Sequence, residues 1–151
     1  MSKYPNELEL HKKHYEEITD KLKQDAFAQF LGIQLVEVGP GLAIAEMVVT
    51  ENMLNAHGTT HGGVIFSLAD FVFAVACNSY GKTSVGLNAN IGFLAGSVKG
   101  DILRATAVEE KKNNRTAWYR IKVEANGELI SNLDCLAYRK NDYFVPTDDM
   151  E

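Results

Sequence analysis

The stretch from His61 to Gly81, HGGVIFSLADFVFAVACNSYG, carries apolar side chains in nearly every direction around a helix, with one carboxylate, Asp70, in its middle. A helix apolar on all sides belongs in an interior, so this run predicts a central helix that closes at Gly81 as its C-cap. It is not a membrane span: the longest apolar stretch, Val64 to Cys77, is interrupted by Ser67 and Asp70 and falls short of the roughly 20 residues a bilayer requires. A sheet covers one face of a helix, yet Val64, Ile65, Phe66, Leu68, Phe71, Val72 and Phe73 point all round. The remainder is expected to be covered in part by an N-terminal helix and chiefly by a second copy packed in two-fold fashion, an obligate dimer at least.

The rest of the chain supplies the sheet. GIQLVEV and LAIAEMVV are short β-rich runs around the turn Gly39-Pro40-Gly41. Beyond the central helix, SVGLNANIGFLA, DILRATAVEE, TAWYRIKVEA and ELISNLDCLAYR alternate in polarity and are broken at Gly96, Asn113-Asn114 and Asn126-Gly127. Asn-Gly between alternating runs is a strong hairpin signal. Residues 6–30 place Leu8, His11, Tyr15, Ile18, Leu22, Ala26 and Phe30 three and four apart, which predicts one amphipathic helix started by Pro5. The expected architecture is α+β: a long central helix wrapped by a five- to six-stranded antiparallel sheet, with an extra N-terminal helix. At 151 residues the chain is read as a single domain. Its parts are an N-terminal extension (1–28), a core (29–140) and a C-terminal tail (141–151).

A net charge of −5 offers no bulk attraction for nucleic acid or an anionic membrane surface. Cys77 and Cys135 lie in apolar or alternating runs without zinc-type spacing and are read as reduced and buried. The N-terminal segment lacks the apolar core of a secretory signal and the acidic C-terminus lacks a lipidation box, so a cytoplasmic location is expected. His57 and His61 stand four apart, but Gly58 and two threonines between them argue for a loop, and no metal is expected.

A carboxylate among Leu68, Ala69, Phe71, Val72 and Phe73 costs desolvation unless paired. Helical spacing sets Gly63, Ser67, Asp70 and Ala74 along one narrow stripe fit to line a cleft. A plain structural role, Asp70 hydrogen-bonded to backbone or to Ser67, is the competing reading. Gly62 and Gly63 begin the helix without side chains, leaving N–H groups open at its positive end, although paired glycines also serve tight turns. Open donors and a carboxylate are what hydrolysis of an activated acyl group needs. Asp70 lies eight residues beyond Gly62, about 12 Å along one helix. The two cannot grip one carbonyl carbon unless the carboxylate comes from a second copy's antiparallel helix, giving a shared site. Asn55, in the loop before the helix, can both donate and accept toward water or carbonyl, or simply build the turn.

Asn55-Ala-His-Gly-Thr-Thr-His61-Gly62-Gly63, followed by Phe-Ser-Leu-Ala-Asp70, resembles the hotdog-fold acyl-CoA thioesterases of the phenylacetate-degradation (PaaI-like) type. The resemblance runs from about Phe30 to Arg139, takes in ACNSYG and NANIGFL, and leaves the first 25 residues outside. It implies that Asp70 is base or nucleophile, that Asn55 places water and carbonyl, and that Gly62 offers its N–H to the thioester oxygen. His61, Gly63 and Ser67 would line the substrate, and Asn114, Arg115 and Thr116 would meet coenzyme A, with Lys99 and Arg104 weaker candidates for its phosphates. It further implies a site between subunits, a tetramer of two dimers, an acyl-CoA substrate with an aromatic or a short to medium chain, and no cofactor beyond the substrate's own coenzyme A. Phe71, Gly86 and the proline-free run Phe93-Leu94-Ala95-Gly96 depart from the family pattern. The competing functions are an acyl-CoA sensor without catalysis, a hydratase on the same fold, and a purely structural dimerisation domain.

Overall fold

The computed structural model describes residues 5–147. The first four residues of the expected extension and the last four of the expected tail, including its acidic end, lie outside the described residues. Three short helices come first: α1 (Glu7–Lys13), α2 (Tyr15–Leu22) and α3 (Ala26–Leu31). The hairpin β1 (Gln34–Gly39) and β2 (Leu42–Val48) follows, then a 3-10 turn at Glu51–Met53 and the long α4 (Gly62–Asn78). The chain ends in β3 (Lys82–Phe93), β4 (Ile102–Lys112), β5 (Thr116–Ala125) and β6 (Glu128–Tyr143). All strand pairs are antiparallel and form one sheet in the order β1-β2-β4-β5-β6-β3.

Alternation decides which way each strand faces. In β5, Ala117, Tyr119, Ile121 and Val123 turn inward and are buried while Trp118 and Arg120 face water. The β5–β6 connection is the two-residue Asn126-Gly127 turn, with φ of 53° and 79°, the mirror-image turn that suits a twisted hairpin. The sheet wraps α4 and buries Ile65, Leu68, Ala69, Val72, Phe73, Val75 and Ala76 within one chain. This is the hotdog arrangement expected, with six strands.

Four expectations change in detail. The sheet covers more of α4 than a flat sheet can, because it curls; what stays open is the stripe through Gly63 and Asp70, with Val64, Phe66, Ser67 and Ala74 partly covered. Exposed apolar side chains also occur on β3, a sheet edge that among the described residues pairs only with β6 and exposes Val85, Leu87 and Phe93, and on other elements, Phe30 of α3 and Trp118 of β5 among them. Second, residues 6–30 are not one helix. The chain turns out of helical geometry at His14 (φ −110°, ψ 24°) and again at Lys23–Asp25, so the phase resets: Ile18 is buried, whereas Leu8 and Phe30 are exposed. Third, α1 starts on Asn6, whose Oδ1 accepts from the N–H groups of Leu8 and Glu9, one residue after Pro5. Finally, α4 ends at Asn78 with Ser79 as its C-cap, and Gly81 (φ 79°) supplies the left-handed turn into β3.

The N-terminal helices and the end of β6 make a second small core, Leu10, Ile18 and Val145, packed with Leu22, Tyr143 and Phe144. Glu7 ties it to the sheet by accepting from Lys112 Nζ at 2.7 Å and from the buried Arg139 Nη2 at 2.5 Å.

Candidate active site

The loop before α4 is set by its own hydrogen bonds. Asn55 Oδ1 accepts from the N–H groups of His57 (2.9 Å) and Thr59 (3.2 Å), and its Nδ2 donates to Thr59 Oγ1 at 2.9 Å. Its side chain therefore builds the turn, with one amide hydrogen left over. Ser97 Oγ bonds Thr60 Oγ1 at 2.6 Å, and the His61 N–H donates to Met53 O at 2.7 Å, pinning the entry to the helix.

His61 is the N-cap. Its Nδ1 accepts the Gly63 N–H at 2.9 Å, which puts the ring proton on Nε2. The expectation of two open glycine donors is thereby corrected: the Gly63 N–H is taken by the cap, and Val64 and Ile65 donate to His61 O. Gly62 donates to no acceptor among the described residues, so it alone presents an open N–H at the positive end of α4. A Cβ on Gly62 would stand 3.1 Å from the Phe93 ring, so close packing and an open donor coincide at this residue.

Asp70 lies two turns on. In a single chain it is exposed, not enclosed as the sequence led us to expect, yet it stands between two apolar-walled cavities. One, of about 170 Å³, is bounded by Phe66, Ser67, Phe71 and Ala74 of α4 and by α3; the other, of about 210 Å³, by Phe66, Phe73 and the β3 residues Gly86 to Ala89. Burial against these walls, with a smaller contribution from the Asp25 charge, raises the Asp70 pKa. Ser67 Oγ donates to Gly63 O at 2.7 Å instead of to Asp70. Among the described residues nothing hydrogen-bonds or ion-pairs with the Asp70 carboxylate, neither backbone nor Ser67. At Gly86 a Cβ would meet Phe73 Cε1 at 3.0 Å, so a side chain in its place requires the Phe73 ring to give by a few tenths of an ångström.

The residues expected to meet coenzyme A form the β4–β5 turn. Asn113 Oδ1 accepts from the N–H groups of Arg115 and Thr116, and Asn113 Nδ2 donates to Thr116 Oγ1 at 2.9 Å. Asn114 accepts from the buried Lys82 Nζ at 3.2 Å. Arg115 is exposed and, among the described residues, its guanidinium holds no partner. Lys82 follows the C-terminal end of α4, so this turn sits at the far end of a 17-residue helix from Gly62, about 25 Å away. Lys99 and Arg104 are paired with Glu51 and Glu46.

Sequence reasoning missed Asp25 and Phe27, which face Asp70 from α3. The signal was present: Asp25 is an N-cap residue inside the presumed single helix, and its Oδ1 accepts the Ala28 N–H at 2.9 Å.

Comparison with known proteins shows the family to which the chain belongs. Residues 57–130 match the family described as the thioesterase superfamily. The chain is 43% identical over 101 residues to acyl-coenzyme A thioesterase PaaI of Escherichia coli, covering 67% of this chain and 72% of that one. It is 34% identical over 110 residues to human acyl-coenzyme A thioesterase 13, covering 70% and 79%. The solved structure of E. coli PaaI, described as from the phenylacetic acid degradation operon, superposes with a TM-score of 0.84 over 89% of this chain and 98% of that chain, at 34% identity.

Proposed function

Since this chain belongs to the thioesterase superfamily and is an acyl-CoA thioesterase, we propose that Gly62, Asp70 and Asn55 carry its reaction at a site shared by two copies. The observation that carries the reading is Asp70, a carboxylate without a partner among the described residues and raised in pKa beside a cavity. The Gly62 N–H polarises the thioester carbonyl, helped by the positive end of α4. Asp70 of the second copy deprotonates a water that attacks the carbonyl carbon, or attacks that carbon itself to form an acyl-aspartyl anhydride that water then cleaves to the free acid and the aspartate; in either case the C–S bond breaks and the coenzyme A sulfur leaves and takes up a proton. The spare amide hydrogen of Asn55 reaches toward the carbonyl or the water, and Ser67 and the Nε2–H of His61 lie on the substrate's path.

Two features support sharing. Gly62 and Asp70 are separated by about 12 Å on one helix, and the free edge of β3 offers unpaired backbone groups and apolar side chains to a second β3. Antiparallel pairing of two such edges sets the helices side by side in opposite directions, and two such dimers make the tetramer we favour. Arg115 on the turn beyond the end of α4 then faces the nucleotide phosphates of a coenzyme A, since Asn114 already holds Lys82 and the Thr116 hydroxyl accepts from Asn113. The acyl group, aromatic as in a phenylacetyl group or a short to medium chain, occupies the cavity beside Asp70. No described helix is long and apolar enough to cross a membrane, and two free, buried thiols suit a reducing cytoplasm.

Release of free thiol from a panel of acyl-CoAs, with Asp70→Asn alongside, tests the reading. The variant is expected to lose at least about 10³-fold in kcat while still binding coenzyme A. Undiminished turnover overturns the role of Asp70, and binding without turnover by the unaltered protein across the panel favours an acyl-CoA sensor.

A further inference from the structure

The smaller of the two cavities beside Asp70, of about 170 Å³, has a second wall N-terminal to residues 57–130. That wall is α3 with the residues flanking it: Asp25, Phe27 and Ala28, then Ile33. It is held at both ends. Asp25 caps it, Gly32 closes it in left-handed geometry (φ 73°) with its N–H on Ala28 O and Gln29 O, and Gln29 Nε2 donates back to Lys23 O at 2.8 Å. Ala28 and Ile33 are buried in the main core, so the wall is fixed to the body of the protein and is not a loose flap.

Two properties of this wall bear on what enters. Phe27 leaves 58% of its surface exposed and lies nearly parallel to Phe30, centroids 6.3 Å apart and planes 17° apart, so a flat apolar ring is presented opposite Phe66 and Phe71. Asp25 spends one carboxylate oxygen on the cap, and its negative charge acts on Asp70 across the cavity. A cavity of about 170 Å³ is filled by a group the size of one six-membered ring, since about 150 Å³ holds benzene. An acyl group with a terminal carboxylate would bring a third negative charge into the same small space.

We propose that the segment Asp25 to Phe27 sets acyl specificity: Phe27 makes apolar contact with the acyl group, and Asp25 excludes acyl groups that carry a negative charge. The inference rests on the reading of this chain as a thioesterase acting through Asp70. It names a substrate class, uncharged acyl groups up to about the size of a phenylacetyl group, and assigns its selection to the N-terminal helices.

The test compares kcat/KM for phenylacetyl-, acetyl-, butanoyl- and succinyl-CoA in the full-length protein and in Phe27→Ala, Phe27→Leu and Asp25→Asn. Asn is as good an N-cap as Asp, so the last change removes charge while keeping the helix start. Unaltered protein is expected to favour butanoyl- over succinyl-CoA by at least about 100-fold, and Asp25→Asn to narrow that ratio about tenfold. Phe27→Ala is expected to lower the phenylacetyl-to-acetyl ratio about tenfold, and Phe27→Leu to lower it less. Ratios within twofold of the unaltered protein in both Phe27→Ala and Asp25→Asn overturn the proposal, as does an equal loss on every substrate. Asp70→Asn run in the same plates keeps the two questions apart: full activity there removes the catalytic reading, whereas the ratios report on α3 alone.

Discussion

Asp70 combines two costs that a protein without a use for them would not keep. Among the described residues it is a carboxylate without a partner, and its apolar walls, with Asp25 adding to their effect, raise its pKa. The sign of the consequence for stability follows by linkage. A carboxylate whose pKa is raised in the folded state binds more protons folded than unfolded, so its contribution is present below the unfolded pKa and lost as pH rises through the folded one. Asp70→Asn is therefore expected to melt at a higher temperature than the unaltered protein at pH 7, with the gap closing toward pH 3 in a calorimetric series. A gap of opposite sign would mean that the carboxylate has a stabilising partner in the assembled protein. With Asp70 as the proposed base or nucleophile, the same shift is expected to place the acid limb of the kcat/KM profile above the ordinary aspartate range. Asp25→Asn, which removes a like charge and keeps the cap, is expected to move that limb to lower pH.

At the scale of elements, α4 and α1 are held by opposite kinds of contact. The curled sheet holds α4 through apolar burial, and the His61 cap settles which of its first N–H groups remains open. α1 is held by Glu7, which bridges Lys112 and Arg139 beside the Tyr80 ring. Burial works to raise the Glu7 pKa, and the hydrogen bonds and charges of Lys112 and Arg139 outweigh it, leaving the carboxyl below its ordinary 4.5. A lowered carboxylate contributes stability above its unfolded pKa and loses it as pH falls through the folded one. Glu7→Gln should accordingly cost about 3 kcal/mol at pH 7, because two poorly solvated cations are left without their anion. The difference from unaltered protein should fade below pH 4 in denaturant titrations. Arg139 Nη1 also donates to Asn113 O at 2.7 Å, so the variant is expected to loosen the β4–β5 turn as well, seen as faster amide exchange at Arg115 and Thr116.

For the molecule as a whole, the site proposed above needs two chains. Gly62→Pro removes the donor at a helix position whose backbone accepts proline, while its added atoms press on the Phe93 ring (3.1 Å for a Cβ), and Asp70→Asn removes the carboxylate. Each variant alone should be nearly inactive. Heterodimers of the two carry one site built from the intact halves, so mixtures are expected to recover up to about a quarter of the activity when chains pair at random. No recovery in heterodimers confirmed by native mass spectrometry would count against a shared site.

Much of this was legible in the chain before any coordinates. Period-two alternation and the Asn126-Gly127 turn announced the hairpins, and the all-round apolar run announced the central helix, because local backbone preference and burial point the same way there. The pattern Asn55 to Asp70 pointed to the thioesterase family, and the eight-residue spacing of Gly62 and Asp70 is the ground on which a second copy is proposed. Only the tertiary structure decided that His61 takes the Gly63 N–H, that a curled sheet covers most of α4, and that α3 breaks away to face Asp70. These depend on where a cap side chain turns, how far a sheet curls and where a helix loses phase. Each is set by contacts between residues distant in the chain, which a periodicity read along the chain cannot register.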